Sequence, residues 1–103
     1  MRAFIVMTTV KNIAEADKIS SGLLAKRLIA CCNVANVKSS FLWNDKVDKE
    51  EEQLLVMKTI DNKLNDLELE LKSLHSYDVP EIVGFPLEFV SKDYFDWLVS
   101  STQ

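Results

Sequence analysis

The chain has 103 residues, of which 48% are hydrophobic and 27% are charged, and its net charge is −4. This length predicts a single domain, residues 1–103, and this balance excludes an intrinsically disordered chain. The basic residues are scattered along the sequence. Nucleic-acid binders need a clustered basic face to neutralise phosphates, so we expect no nucleic-acid partner.

The apolar run at the N-terminus is short, which predicts neither a cleaved signal segment nor a membrane span. The two cysteines, Cys31 and Cys32, are adjacent and cannot build a disulfide framework. Reduced thiols are typical of the cytosol. These features predict a cytoplasmic protein with no membrane partner.

The first elements are a strand and a helix. Residues 3–9 form a continuous apolar run, as in a central strand. Asn12 is a good N-cap, and Glu15 follows at the spacing of a capping box. The helix that begins there should pack one apolar stripe on the sheet, formed by Ala16, Ile19, Ser20, Leu23, Leu24 and Leu28.

A long β-hairpin comes next. Residues 30–47 contain neither proline nor glycine, and their side chains alternate with strand period. Residues 44–52 are polar and predict a turn, with a second strand over 53–60. A strand of about fifteen residues would span roughly 50 Å, whereas the radius of gyration expected for this length is about 13 Å. The hairpin should therefore bend or protrude, and Phe41 and Trp43 should be covered by a neighbouring subunit.

The C-terminal half predicts a helix over 62–74 capped by Asp61, a strand over 81–86, and a short helix capped by Ser91. The last helix should present Tyr94, Trp97 and Leu98 to the core. The order β-α-β-β-α-β predicts an α+β, ferredoxin-like fold with an antiparallel sheet, both main helices on one face, a C-terminal helix and a long protruding β-hairpin. The open face of the sheet is where we expect oligomer contacts.

Few residues offer chemistry. The sole histidine, His75, could be a metal ligand together with Asp78 or a cysteine, or it could hydrogen-bond the carbonyls at the helix end. Cys31 and Cys32 should point to opposite faces of a strand, as soft-metal ligands or as buried thiols. The acidic run 48–52 lacks a calcium-loop pattern and is expected to be a solvated turn. No nucleophile elbow, phosphate loop or metalloprotease motif is present, so we predict no enzyme.

Several segments together resemble the divalent-cation tolerance protein family, CutA. They are Thr8-Thr9, Arg27-Leu28-Ile29-Ala30-Cys31-Cys32-Asn33, Ser39-x-Phe41-x-Trp43, Glu52, Met57-Lys58-Thr59, His75-Ser76-Tyr77-Asp78-Val79-Pro80-Glu81 and Tyr94-x-x-Trp97-Leu98. The resemblance implies a ferredoxin-like subunit in a tight homotrimer, with a role in metal tolerance and with copper as a possible bound ion. It places a ligand cleft between subunits, lined by Ser39, Trp43, Glu52, Lys58, His75 and Tyr77, with His75 and Cys31 as metal candidates.

The chain departs from the family pattern at several positions. Where the bacterial copper-binding pattern has a cysteine at the end of the first strand and two histidines ending the second helix, this chain has Met7, Leu74 and His75. It also has Phe41 for a tyrosine, Asp45 for a turn glycine and Ser76 for a proline. A thioether is a soft ligand, so Met7 could still bind Cu(I), whereas Leu74 could not.

Two other functions stay open. One is a small-molecule sensing or signalling module similar to the trimeric nitrogen-regulatory PII proteins, although this chain lacks a glycine-rich phosphate loop. The other is an acylphosphatase-like enzyme on the same fold. That enzyme would need an arginine over the substrate phosphate, and the chain offers only Arg2 and Arg27.

Overall fold

Four strands form one antiparallel sheet in the computed structural model, which describes all residues, Met1–Gln103. The strand order is β2-β3-β1-β4. In chain order the elements are β1 Ala3–Val10, α1 Ile13–Ala25, β2 Cys31–Trp43, β3 Lys46–Ile60, a 3-10 turn Asp61–Lys63, α2 Leu64–Leu74, β4 Val83–Pro86 and α3 Lys92–Ser101. The predicted order β-α-β-β-α-β with a C-terminal helix is confirmed.

One face of the sheet is covered by α1 and α2. Strands β1 and β3 bury alternate side chains there, and the two helices bury theirs against them. The main core comprises Val6, Val10, Ala16, Ile19, Leu23, Leu28, Ile29, Leu55, Met57, Leu67 and Leu71. Both predicted helices thus lie on one face, as expected for this fold.

The C-terminal helix packs on a second, smaller core. Leu98 is fully buried against Ala3 and Ile60, which occupy opposite positions in β1 and β3. Tyr94 and Trp97 remain 37% and 44% exposed, so the expectation that they enter the core is wrong. Their rings contact each other instead, with centroids 5.4 Å apart, and Leu98 is the one fully buried residue of α3.

The end of α1 also differs from the expectation. The helix stops at Ala25, and Arg27 takes a left-handed conformation with φ of 56°. The Leu28 amide then donates to the Leu23 carbonyl and closes the helix end. Leu28 lies in the connection that follows the helix, and its side chain is buried. Leu24 lies off the buried stripe of the helix and is exposed.

The hairpin turn is much shorter than the sequence suggested. Asn44 and Asp45 alone connect the strands, with φ values of 52° and 62°, and pairing is continuous from Trp43↔Lys46 to Cys31↔Lys58. The polar segment 46–52 was expected to be a turn, and that expectation is wrong. Asn and Asp tolerate left-handed φ, so two residues suffice for the turn. The acidic run then alternates between the two faces of a ribbon.

The hairpin extends well beyond the core. β1 pairs with β3 only over Gln53–Ile60, so the segment 46–52 has β2 as its single neighbouring strand. The molecule measures 44 × 26 × 22 Å, which agrees with a protruding ribbon. No helix is both long and apolar enough to cross a bilayer.

Candidate functional site

His75 follows α2 directly, and its side chain is completely buried. Its Nδ1 accepts a hydrogen bond from the Tyr77 backbone N–H at 3.2 Å. A backbone N–H can only donate, so Nδ1 carries the lone pair and the neutral ring carries its proton on Nε2. Nε2 lies 3.0 Å from both the Thr9 carbonyl and the Thr8 hydroxyl. His75 therefore links the loop after α2 to β1 rather than to the helix-end carbonyls.

Glu15 anchors the same loop from α1. Its own amide donates to Asn12 Oδ1 at 2.9 Å, as the N-cap prediction requires. Its carboxylate does not complete the capping box, however. It accepts from the Ser76 amide at 2.8 Å, from the Ser76 hydroxyl at 2.9 Å and from the Lys11 amide at 3.4 Å. The sequence spacing predicted only a capping role for Glu15. No pattern of neighbouring residues indicates Ser76 as its hydrogen-bond partner.

The environment of Glu15 changes its acidity. Burial alone would raise the pKa of this carboxyl, but the bonds from Ser76 and Lys11 outweigh burial, and the pKa is lowered. Nδ1 of His75 is 4.0 Å from Glu15 Oε2. The carboxylate form of Glu15 is thus held by three donors beside the histidine.

Tyr77 connects this loop to the hairpin. The loop passes beyond the last β1–β3 pair, Val10↔Gln53, and the Tyr77 hydroxyl donates to Glu52 Oε2 at 2.8 Å. Burial raises the pKa of Tyr77, and the bond to Glu52 with its negative charge raises it further. The phenol therefore remains a donor across the physiological range.

Two adjoining cavities lie between the hairpin and the loop after α2. One has a volume of about 490 Å³ and is lined by Trp43, Glu52 and Tyr77 among others. The second, about 560 Å³, is lined by Ser39, Glu52 and Tyr77 among others. We call this pair of cavities the hairpin cleft. Four of the six residues predicted for the ligand cleft meet here, and their role in binding stays a prediction.

The other two predicted cleft residues lie elsewhere. The His75 side chain is buried behind the loop and lines neither cavity. Lys58 lies at the opposite end of the hairpin, where its Nζ donates to Asn33 Oδ1 at 2.6 Å and is 3.9 Å from Cys31 Sγ. Pairing places Lys58 opposite Cys31, more than five residues along β3 from Glu52. The family motifs identified Lys58 and His75 as candidates. Only the strand register and the path of the loop show that they lie away from the hairpin cleft.

The two cysteines face opposite sides of β2, as predicted. Cys32 packs against the main core, whereas Cys31 contacts Lys58 on the other face. Burial, together with the neighbouring Cys31, raises the pKa of the Cys32 thiol to about 11, although Lys58 opposes this. Both thiols are free, and neither is fully buried.

A metal centre is not preassembled within the subunit. No three His, Cys, Asp or Glu side chains converge closely enough to hold an ion. His75 and Cys31 share no hydrogen-bond partner, and both ring nitrogens of His75 are engaged. A metal on His75 would have to displace the bond from Tyr77 or the bond to Thr9. The pairing of His75 with Cys31 on copper stays a prediction.

Comparison with known proteins gives one consistent family. The family model described as CutA1 divalent ion tolerance protein matches residues 4–101. The divalent-cation tolerance protein CutA of Pyrococcus horikoshii is 34% identical over 99 residues, covering 96% of this chain and 97% of that protein. The structure of the periplasmic divalent cation tolerance protein CutA from Archaeoglobus fulgidus superposes with a TM-score of 0.96 at 32% identity, covering 98% and 99% of the two chains.

The predicted cytoplasmic location is overturned by these relatives. The Archaeoglobus protein is described as periplasmic. Protein CutA 1 of Oryza sativa, which is 31% identical over 98% of this chain and 58% of its own length, is described as chloroplastic. The short apolar run at the N-terminus and the adjacent cysteines were therefore not sufficient to specify the compartment. The fold, the matched residues and the extent of both alignments show that the chain belongs to the CutA1 divalent ion tolerance family.

Proposed function

We propose that this protein acts as a homotrimer in divalent-metal tolerance, without a catalytic reaction of its own, and that it binds its ligand at clefts between subunits. The observation that carries the assembly is an apolar sheet face that the single chain covers only at one end, where α3 packs on Ala3 and Ile60. The trimeric state is the one that the family resemblance implies.

Apolar side chains of β1 and β4 lie together on this face. Ile5 pairs with Phe85 and Met7 pairs with Val83, so these side chains lie on the face opposite α1 and α2. The same face continues along the hairpin to Phe41 and Trp43, which are 40% and 53% exposed. Exposed apolar patches of this kind mark interfaces in soluble proteins. The protruding hairpin would reach across such an interface to a neighbouring subunit.

Light scattering tests the assembly. We expect a mass three times that of the 11.7 kDa subunit. Phe41→Asp should shift the mass toward the monomer, because a charge on the apolar face must be desolvated on assembly. Leu42→Asp is the matched control, since the adjacent residue points to the other face of the ribbon. A monomeric wild-type protein would overturn the proposal.

Copper is the ion that we propose first, with His75 and Cys31 as candidate ligands. Further ligands must come from outside the subunit, since no three-residue cluster exists within it. In a copper titration of the trimer, His75→Ala should weaken binding without dissolving the assembly, and so should Cys31→Ser. Because His75 is buried, Cys31→Ser is the cleaner variant. Unchanged copper affinity in both variants would remove this pair from the proposal.

The hairpin cleft favours a second candidate, a trimeric small-molecule binding module. Its two cavities fall within the size range of small-ligand sites, and aromatic and polar side chains line them together. A thermal-shift screen with metabolites and with copper separates the two functions, since a ligand of the native state raises Tm. A shift with copper alone would reject the module.

A further inference from the structure

Cys31 lies beside a nitrogen nucleophile on the neighbouring strand. It is directly opposite Lys58 in the β2–β3 register, and residues that pair directly place their side chains on the same face of a sheet. The Lys58 Nζ is 3.9 Å from the Cys31 Sγ. Both residues are half-buried, so neither is sealed in the core. A thiol and an amine are therefore in contact within one subunit.

Asn33 holds the two groups in this arrangement. Its Oδ1 accepts from the Lys58 Nζ at 2.6 Å and from the Cys31 Sγ at 3.8 Å. Tyr94 of α3 is a further neighbour, since burial and then the adjacent Cys31 raise the pKa of its phenol. Ala30, which precedes Cys31, packs in the small core under α3. The thiol and the amine thus border the end of the sheet that this chain covers itself, and their contact requires no second subunit.

Cys32 is not placed to react with an oxidised Cys31. The two cysteines face opposite sides of β2, and Cys32 packs against the main core. Both thiols are free, and the chain has no other cysteine. A cysteine sulfenic acid condenses either with a thiol, to give a disulfide, or with a nitrogen, to give a sulfenamide. The Lys58 amine is the nucleophile that contacts the Cys31 sulfur.

We infer that Cys31 and Lys58 form a peroxide-sensitive covalent link, a sulfenamide, between β2 and β3. In the first step, hydrogen peroxide oxidises the thiol to a sulfenic acid, the O–O bond breaks, and the reduced peroxide leaves as one water molecule. In the second step, the Lys58 ammonium gives one proton to solvent and its nitrogen attacks the sulfur. The S–N bond forms, the S–O bond breaks, and the hydroxyl leaves as water with a second proton from the nitrogen.

The link would change the root of the hairpin in two ways. It removes the Cys31 thiol and the Lys58 charge together, and so it withdraws one candidate ligand from the copper site of the proposed function. It also closes a covalent loop between residues 27 positions apart, which restricts the unfolded chain as a disulfide does. Neither copper nor a second subunit is needed for the link to form.

Peptide mapping by mass spectrometry tests the link, after the metal-free, assembled protein has been treated with a small excess of hydrogen peroxide. We expect Cys31 and Lys58 in one cross-linked peptide that is lighter by two hydrogens, about 2 Da, than the two unmodified peptides together. A thiol reductant should restore both residues. In Lys58→Arg the positive charge is kept, but the guanidinium does not deprotonate to a nucleophile. This variant should stop at oxygen adducts of Cys31.

Cys32→Ala is the matched control, because it removes the thiol on the opposite face and should form the link to the same extent as wild type. Thermal unfolding of the untreated variants shows that each is folded. The link is contradicted if Cys31 in the wild-type protein stays unmodified or carries only oxygen adducts. An equal yield of cross-linked peptide in Lys58→Arg, or its loss in folded Cys32→Ala, would contradict it as well.

Discussion

The two ends of the hairpin show how one pair of strands is stabilised in two ways. At its root, residues 53–60 of β3 lie between β1 and β2, and Leu55 and Met57 are fully buried under the helices. At its tip, residues 46–52 have β2 as their only neighbouring strand, and most side chains are exposed. The root therefore contributes to the stability of the subunit, whereas the apolar side chains of the tip gain burial only from another molecule.

The loop after α2 joins these two regions. His75 bonds to the end of β1 at the root, and two residues later Tyr77 bonds to Glu52 at the tip. Glu15 holds the loop between them through Ser76. The position of the hairpin cleft thus depends on a polar network that is anchored on the rigid core.

The largest expected difference is in the loss of unfolding free energy when Leu55 or Leu42 is replaced by alanine. Leu55→Ala should lower the free energy of unfolding by about 2–5 kcal/mol, because it leaves a cavity in the core. Leu42→Ala removes a side chain that is 75% exposed and should change the free energy of unfolding by less than about 0.5 kcal/mol. Urea unfolding of both variants at one protein concentration makes the comparison. A large loss of unfolding free energy in Leu42→Ala would contradict the conclusion that the side chain of Leu42 is exposed at the hairpin tip.

A smaller effect is expected at Glu15, which holds the connecting loop. Its pKa is lowered in the folded protein, so its stabilisation is complete above the unfolded value of about 4.5. That stabilisation is lost as the pH falls through the folded pKa. Glu15→Gln should cost about 1–3 kcal/mol at pH 7 through weaker hydrogen bonds to Ser76. The difference from wild type should shrink below pH 4.5.

Unfolding measured from pH 7 to pH 3 checks this prediction. Asp17→Asn is the control, since this exposed carboxyl on the same helix has no hydrogen-bond partner. A constant difference between wild type and Glu15→Gln over the whole pH range would contradict the assigned role of the carboxylate.

The smallest effect is expected at the turn itself. Asp45 has a φ of 62°, which glycine adopts without the steric cost that a Cβ incurs. Asp45→Gly should therefore stabilise the protein by about 0.5–1 kcal/mol. Thermal unfolding of this variant and of Asp48→Gly, a strand control that should be destabilised, checks the prediction. Destabilisation by Asp45→Gly would indicate that its side chain has a role that its φ does not reveal.

Some local signals were read correctly from the sequence, but the predicted Asp61 cap was wrong, because Asp61 lies in a 3-10 turn and α2 begins at Leu64 without a side-chain cap. The N-caps Asn12 and Ser91 accept from Glu15 and Tyr94 as their spacing predicted, because capping depends on a few neighbouring residues. The fold class and the family resemblance were confirmed too. The length of the hairpin turn was predicted wrongly. A run of carboxylates is typical of a solvated loop, and the sequence does not reveal that a partner strand lies beside it.

Sequence by itself determined the order and approximate positions of the strands and helices and the motifs that they carry. Hydrophobic periodicity and helix capping depend on residues that are near each other in the chain, so they can be recognised from the sequence. Tertiary structure alone decided that Lys58 lies with Cys31 instead of Glu52, that His75 bonds to β1, and that Tyr77 reaches Glu52. Those contacts join residues 25 to 67 positions apart, and they depend on strand register and loop path, which no local pattern encodes.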